Sequence, residues 1–344
     1  MKVKDEGFIT ELLFKNLLDE YGMKEFRYCD QKVLRSHLRK TVIEYNIKFS
    51  NSSTKTYIGV HRESDKRLEY VFSTLHHLRS SGFNEESDLR VPKPILYLPS
   101  LSFLLMEQAE GKLLGTLLAQ EETTSLTPYV EGAAKWLAKL HNNKSINTTR
   151  VHSFEDEIAT SIKFKRALLN IFPTLSKKIV SISELMVRMQ TEEARKKKEK
   201  EKKNSSQYND YAITRLIHGD YHPKNIFASS TNIITVIDFE ESRMGDPAFD
   251  VGYFIAQMKM SYGFKPAIIG AADMFLDKYL QETDYSYDSH HDLEKRERIY
   301  EAQTYFQRIY HTYWLLKLKP DINLVYRWLT ESEKCLEKAG EQVS

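Results

Sequence analysis

The chain has 344 residues, 41% hydrophobic and 28% charged, with a formal net charge of +2, which suits a water-soluble protein of two lobes and argues against nucleic acid or a membrane as its main partner. Its two cysteines, Cys29 and Cys335, lie far apart without metal-ligand spacing and read as reduced thiols. No apolar run approaches the roughly 20 residues of a bilayer span, and acidic residues stand in MKVKDEGFITELL where a signal peptide has its apolar core, so a cytoplasmic location is expected.

In chain order, Phe8, Leu12, Leu13, Leu17 and Leu18 recur at helical spacing and predict an amphipathic helix over 7–21. Residues 26–34, 40–49 and 55–62 alternate in polarity and predict an antiparallel sheet, with a turn at Asn51-Ser52-Ser53-Thr54. Leu68, Val71, Phe72, Leu75 and Leu78 mark the inner side of a helix over 66–83, on which Glu69 reads as a solvated carboxylate. Val91-Pro92-Lys93-Pro94 is extended by its prolines, and residues 95–98 and 103–106 form a hairpin pattern. From Leu113 the periodicity is helical. Residues 129–141 turn Val130, Ala133, Trp136, Leu137 and Leu140 inward, and a helical pattern over 164–189 runs on into EEARKKKEKEKK. Acids interrupt that charge run and no aromatics interleave, so residues 192–204 are expected to be a solvated segment and not a nucleic-acid tail. Beyond Pro266 three helical segments break near 284–291 and at Pro320-Asp321. The middle one carries Tyr300, Tyr305, Phe306, Tyr310, Tyr313 and Trp314, a stripe that reads as core ahead of pocket lining.

One stretch concentrates the chemistry. Residues 216–250, LIHGDYHPKNIFASSTNIITVIDFEESRMGDPAFD, combine a loop holding His218, Asp220 and Asn225 with two apolar strands joined at Ser229-Ser230-Thr231-Asn232. The second strand ends on Asp238, which a strand–turn–strand would return to the side of Asp220 and Asn225. One carboxylate and one amide oxygen suit Mg2+, a hard cation that takes oxygen ligands and leaves part of its shell to water and phosphates. Asp220 is then left to meet a substrate hydroxyl. The H-x-D-x-H at 218–222 also looks like the opening of a metallophosphatase site, but the further Asn and His motifs of such an enzyme are absent from the sequence. As turn-capping residues the aspartates would be ordinary singly; the full arrangement exceeds that reading.

H-G-D-x-x-x-x-N followed by I-D-F-E, with G-D-P-A-F-D at 245–250, resembles the catalytic core of the aminoglycoside phosphotransferase family, small-molecule relatives of protein kinases. The resemblance implies a two-lobed α+β protein-kinase-like fold, with an antiparallel-sheet nucleotide-binding lobe over 1–106 and a mainly helical catalytic and acceptor-binding lobe over 107–344. It implies Mg2+-dependent transfer of the γ-phosphoryl group of ATP or GTP to a hydroxyl of a small molecule, such as an aminoglycoside-like or other amino or sugar alcohol. Asp220 would be the catalytic base, Asn225 and Asp238 the metal ligands, and His218 and Asp250 supports of the loop. The F-L-L-M-E-x-x-x-G at 103–111 resembles the family's hinge, which sets the nucleotide base against the backbone of Met106, Glu107, Gln108 and Ala109.

Two departures from the family pattern stand out. The turn at Ser36-His37-Leu38-Arg39 has no glycine, and the third strand has no lysine near Gly59, Val60 or His61. His61 and Arg62 are the expected substitutes for that charge, with Lys40 and Lys55 as further candidates. In the family the C-terminal helices wall the acceptor pocket, so Glu282, Asp284, Asp288 and Asp292 would favour a cationic acceptor. The missing lysine leaves a second reading, a nucleotide-binding pseudokinase scaffold; against it, Asp220, Asn225 and Asp238 together fit one mechanism.

Overall fold

The computed structural model describes residues 7–9, 11–12, 26–37, 39–49, 54–63, 67–120, 123–146, 148–203, 214–285 and 287–341. Leu13, Leu17 and Leu18, the glycine-less turn's Leu38 and the turn at 51–53 lie outside them; residues 7–9 and 11–12 are helical. The architecture is α+β. Contacts group the described residues up to 112 with 227–240 as one compact unit, and 113–226 with 241–344 as a second.

In the first unit, β1 (Phe26–His37), β2 (Lys40–Phe49), β3 (Thr54–Arg62), β5 (Pro94–Leu98) and β6 (Phe103–Glu107) form a five-stranded sheet in the order β1-β2-β3-β6-β5, antiparallel throughout. The short β4 (Leu89–Arg90) precedes β5. Side chains alternate across the pleat, so Ile43, Tyr45 and Ile47 of β2 meet Tyr57, Phe103 and Leu105 in a core on one face. The same packing explains the glycine at 59. A Cβ there would lie 2.6 Å from the rings of both Phe103 and Tyr45, so this core-facing position has room only for glycine. Helix α1 (Arg67–Ser80) buries Leu68, Val71, Leu75 and Leu78 at helical spacing and leaves Glu69 exposed. It stops at Gly82, where a positive φ of 89° lets the Phe83 N–H reach the carbonyl of Leu78. A later hairpin, Ile226–Ala228 and Ile234–Val236, joins this unit by pairing Ile234 in parallel with Leu89. Its turn forms at Ser229, whose hydroxyl accepts the N–H groups of Thr231 and Ile233, while Asn232 adopts φ 64°.

The second unit is mainly helical. After the short α2 (Leu114–Ala119), α3 (Thr123–Asn142) buries Val130, Ala133, Trp136, Leu137 and Leu140. The helical pattern expected over 164–189 is divided in the structure. Helix α4 (Phe154–Ile171) starts on a capping box of Ser153 and Asp156, and Pro173 separates it from α5 (Ser176–Lys203). The charged segment is thus helical up to Lys203. Helices α6 (Pro247–Tyr262), α7 (Pro266–Glu282), α8 (Tyr287–Ile309) and α9 (Ile322–Glu341) complete the unit. Five members of the aromatic stripe, Tyr300, Tyr305, Phe306, Tyr310 and Tyr313, are buried core, whereas Trp314 is 43% exposed. Among the described residues no helix is long and apolar enough to cross a membrane.

Candidate active site

The loop after the strand Arg215–Ile217 is held from below by Asp250, in the first turn of α6. The Asp250 carboxylate is fully buried and accepts the backbone N–H groups of His218 (2.6 Å) and Gly219 (2.9 Å). His141 Nε2 lies 3.3 Å from the same carboxylate, and its Nδ1 lies 2.7 Å from the Tyr279 hydroxyl. A carboxylate only accepts, so Nε2 carries a proton. Burial drives the Asp250 carboxyl upward, but the hydrogen bond and charge of His141 and the Gly219 N–H outweigh it and hold the group below its ordinary value. Gly219 has φ 80°, and a Cβ there would lie 2.2 Å from the carbonyl oxygen of Glu241. Only glycine lets the loop turn at this point.

The turn presents Asp220. Its Oδ1 accepts the Tyr253 hydroxyl at 2.8 Å, its Oδ2 accepts Asn225 Nδ2 at 3.2 Å, and His222 Nε2 lies 3.5 Å from Oδ2. The Asp220 N–H donates to His218 Nδ1 at 3.3 Å. Burial raises the Asp220 carboxyl, yet the bond and charge of His222 and the Tyr253 bond bring it below its ordinary value. Burial and the Asp220 charge push the Tyr253 phenol well above its own, so Tyr253 remains a donor. Asn225 Nδ2 also donates to the Asp220 carbonyl at 3.0 Å. With the amide nitrogen committed to Asp220, the Asn225 carbonyl oxygen is the end left for a cation. Tyr253 has no place in the sequence reading, and His141, which the family resemblance marks as a structural residue closing the helix over 129–141, is not paired there with Asp250. Tyr253 was findable, because it lies three residues beyond Asp250 and therefore on the same helical face; His141 had no local signal pairing it with Asp250.

In the first unit the other sheet face encloses a cavity of about 190 Å³. Met106, Glu107, Gln108 and Ala109 line it, together with Val42 and Val60 from the neighbouring strands. Asp238 and Glu240 line it too, Asp238 in a left-handed conformation with φ 67°. That conformation is uncommon for a residue other than glycine and marks a constrained turn. Lys40 Nζ stands 3.2 Å from both Asp238 carboxylate oxygens and 2.6 Å from Glu240 Oε1, while Arg62 pairs with the other Glu240 oxygen. His61 alternates with Val60 and faces away from the cavity. Farther along the chain, Glu282 pairs with Lys278 and Asp284 with Lys144.

Fold and loop together are those of the protein-kinase-like class. The sequence profile described as the phosphotransferase enzyme family matches residues 58–293, more than half of the chain. The chain belongs to this family. Among solved structures, a thermostable mutant of aminoglycoside phosphotransferase APH(4)-Ia matches at TM-score 0.58 and 13% identity, over 94% of this chain and 98% of that one. The choline kinase LicA from Streptococcus pneumoniae matches at TM-score 0.52 and 15% identity, over 96% and 99%. The spectinomycin phosphotransferase APH(9)-Ia, solved with ADP and spectinomycin, matches at TM-score 0.54 and 14% identity, over 96% and 98%. These likenesses establish the shared fold. No curated protein sequence gives a significant match.

Proposed function

We propose that the protein transfers the γ-phosphoryl group of ATP or GTP to a hydroxyl of a small amino alcohol or aminosugar, from the cytoplasmic nucleotide pool. The first unit would hold the nucleotide, its base in the apolar cavity beside Met106 to Ala109; the second would bind the acceptor and supply the base. The observation that carries this reading is the fixed Asp220 carboxylate, held by Tyr253 and Asn225 on a loop clamped by Asp250.

Each of the two donors is of the kind that a hard divalent cation takes. Asp238 offers carboxylate oxygens on the cavity wall, and Asn225 has its amide nitrogen turned to Asp220, leaving a carbonyl oxygen. Asn225 and Asp238 would therefore hold Mg2+, which supplies charge neutralisation for the phosphates. In the transfer, the acceptor oxygen bonds to the γ-phosphorus as the bond from that phosphorus to the β,γ-bridging oxygen breaks, releasing the nucleoside diphosphate. The acceptor proton passes to the Asp220 carboxylate, which the surrounding donors keep ionised and oriented. Little covalent chemistry is asked of the protein, so rate comes from positioning and charge.

Acceptor identity rests on analogy. The structural relatives include choline, ethanolamine and aminoglycoside kinases, and hydroxylated amines of these kinds are the first acceptors to assay. Calorimetric titration of ATP and GTP with and without Mg2+ selects the donor, and phosphate transfer to choline, ethanolamine and aminoglycosides then tests the acceptor. Asp220→Asn should retain nucleotide binding and lose at least about a hundredfold in kcat, the lower end of general-base effects. Near-normal turnover in that variant would refute the assignment. Nucleotide binding that is tight and indifferent to Mg2+ would favour the scaffold reading.

A further inference from the structure

The third strand turns Ile58 and Val60 toward the cavity and carries no lysine on that face. We propose that Lys40, one strand over on β2, is the cation that binds the donor's phosphates, and that Glu240 holds it in place. This inference rests on the phosphotransferase reading above.

The sheet register makes the case. Val42 lies opposite Val60 and Lys40 opposite Arg62, so the two cations are direct cross-strand neighbours on the face that bears the cavity. Like charges so placed repel one another. Here two carboxylates offset them: Glu240 bridges Lys40 and Arg62, and Asp238 takes a further contact from Lys40. Glu240, two residues beyond Asp238, thus anchors a cation beside the nucleotide site. Of the basic residues considered for the role, Lys40 lines the same cavity as the hinge residues and Asp238, whereas Arg62 and His61 do not. Its ammonium has three rotatable donors. It can keep Glu240 while exchanging Asp238 for a phosphate oxygen, which frees Asp238 for the metal. Arg62, engaged with Glu240, then keeps that carboxylate from competing with the phosphates.

The test compares adenosine and ATP, with Mg2+ present, as titrants of the wild type, Lys40→Met, Lys40→Arg, Arg62→Met and His61→Ala; guanosine and GTP replace them if GTP is the donor. Lys40→Met should weaken triphosphate affinity by about ten- to a hundredfold, the loss of one or two charge-assisted hydrogen bonds. Its nucleoside affinity should stay within about twofold, because the apolar cavity is untouched. That contrast also controls for misfolding, which would remove both. Lys40→Arg should recover part of the loss, and Arg62→Met and His61→Ala should lose less than Lys40→Met. A wild type that binds triphosphate while Lys40→Met binds it equally well overturns the Lys40 assignment alone. So does a larger loss in Arg62→Met or His61→Ala, or an equal loss of nucleoside and triphosphate in Lys40→Met. A wild type that binds neither nucleoside nor triphosphate overturns this inference together with the phosphotransferase reading.

Discussion

Replacing Asp250 by asparagine is the most direct probe of how the catalytic loop is built, because it keeps the side chain's shape and changes only charge and one acceptor. The carboxylate receives two backbone N–H groups, at 2.6 Å and 2.9 Å, and faces His141 at 3.3 Å. An amide oxygen can accept one of the N–H groups, now without charge assistance. The amide nitrogen then meets the other donor to donor. Leaving one buried N–H unsatisfied costs about 1–3 kcal/mol, and reducing a charge-assisted bond to a neutral one removes roughly another 1 kcal/mol. A loss of about 2–4 kcal/mol is expected, a sizeable share of the roughly 5–15 kcal/mol that holds a domain together. Urea unfolding at pH 7 should show the midpoint falling with the slope unchanged. The loss must also depend on pH. Asp250 is held below its ordinary value in the fold, so its contribution is full above the unfolded carboxyl value of about 4 and disappears as pH falls through the lower folded value. The gap between wild type and Asp250→Asn should therefore narrow on acidification below about pH 4. A variant within about 0.5 kcal/mol of wild type at pH 7 would show that the loop is held by something other than this carboxylate.

Tyr253→Phe removes the hydroxyl that donates to Asp220, so kcat should fall by about two- to tenfold, the worth of one hydrogen bond. Since that bond helps to hold the Asp220 carboxyl down, the acidic limb of the pH–rate profile should move to higher pH; an unmoved limb would dissociate Tyr253 from the base. Glu297 is buried, and its Oε1 has no hydrogen-bond partner among the described residues. Burial first, then the charge of Glu301, raise its carboxyl to about 8. A raised acid gives its full stability below the unfolded value of about 4.3 and loses it as pH climbs to the folded one. Glu297→Gln should therefore gain in Tm relative to wild type as pH rises from about 5 to about 8, a trend that differential scanning calorimetry would reveal or refute.

Much of this fold is written in local patterns. Strand alternation through Ile43, Tyr45 and Ile47, the inward face of α3 and the break at Pro320 follow from side-chain period and turn chemistry, which act over a few residues, whereas the break expected near 284–291 is shorter, because α8 already begins at Tyr287. The interruption at Pro173 was equally local and was passed over because the periodicity on either side is strong. In the catalytic loop, His218, Asp220, Asn225 and Asp250 could be named because they fall within 35 consecutive residues in a recognisable order. Tyr279, and the contact of the structural His141 with Asp250, could not, since these contacts join helices far apart in sequence.

The amino-acid order by itself determined the α+β class, the family's loop motif and the absence of a lysine near positions 59–61 of the third strand. Only the tertiary structure decided which face of that strand meets the cavity and which cation stands beside it. The rings of Tyr45 and Phe103 close over Gly59, and antiparallel register sets Lys40 opposite Arg62 with Glu240 between them. Register and ring packing join residues separated by tens to hundreds of positions, and no local period encodes such pairings.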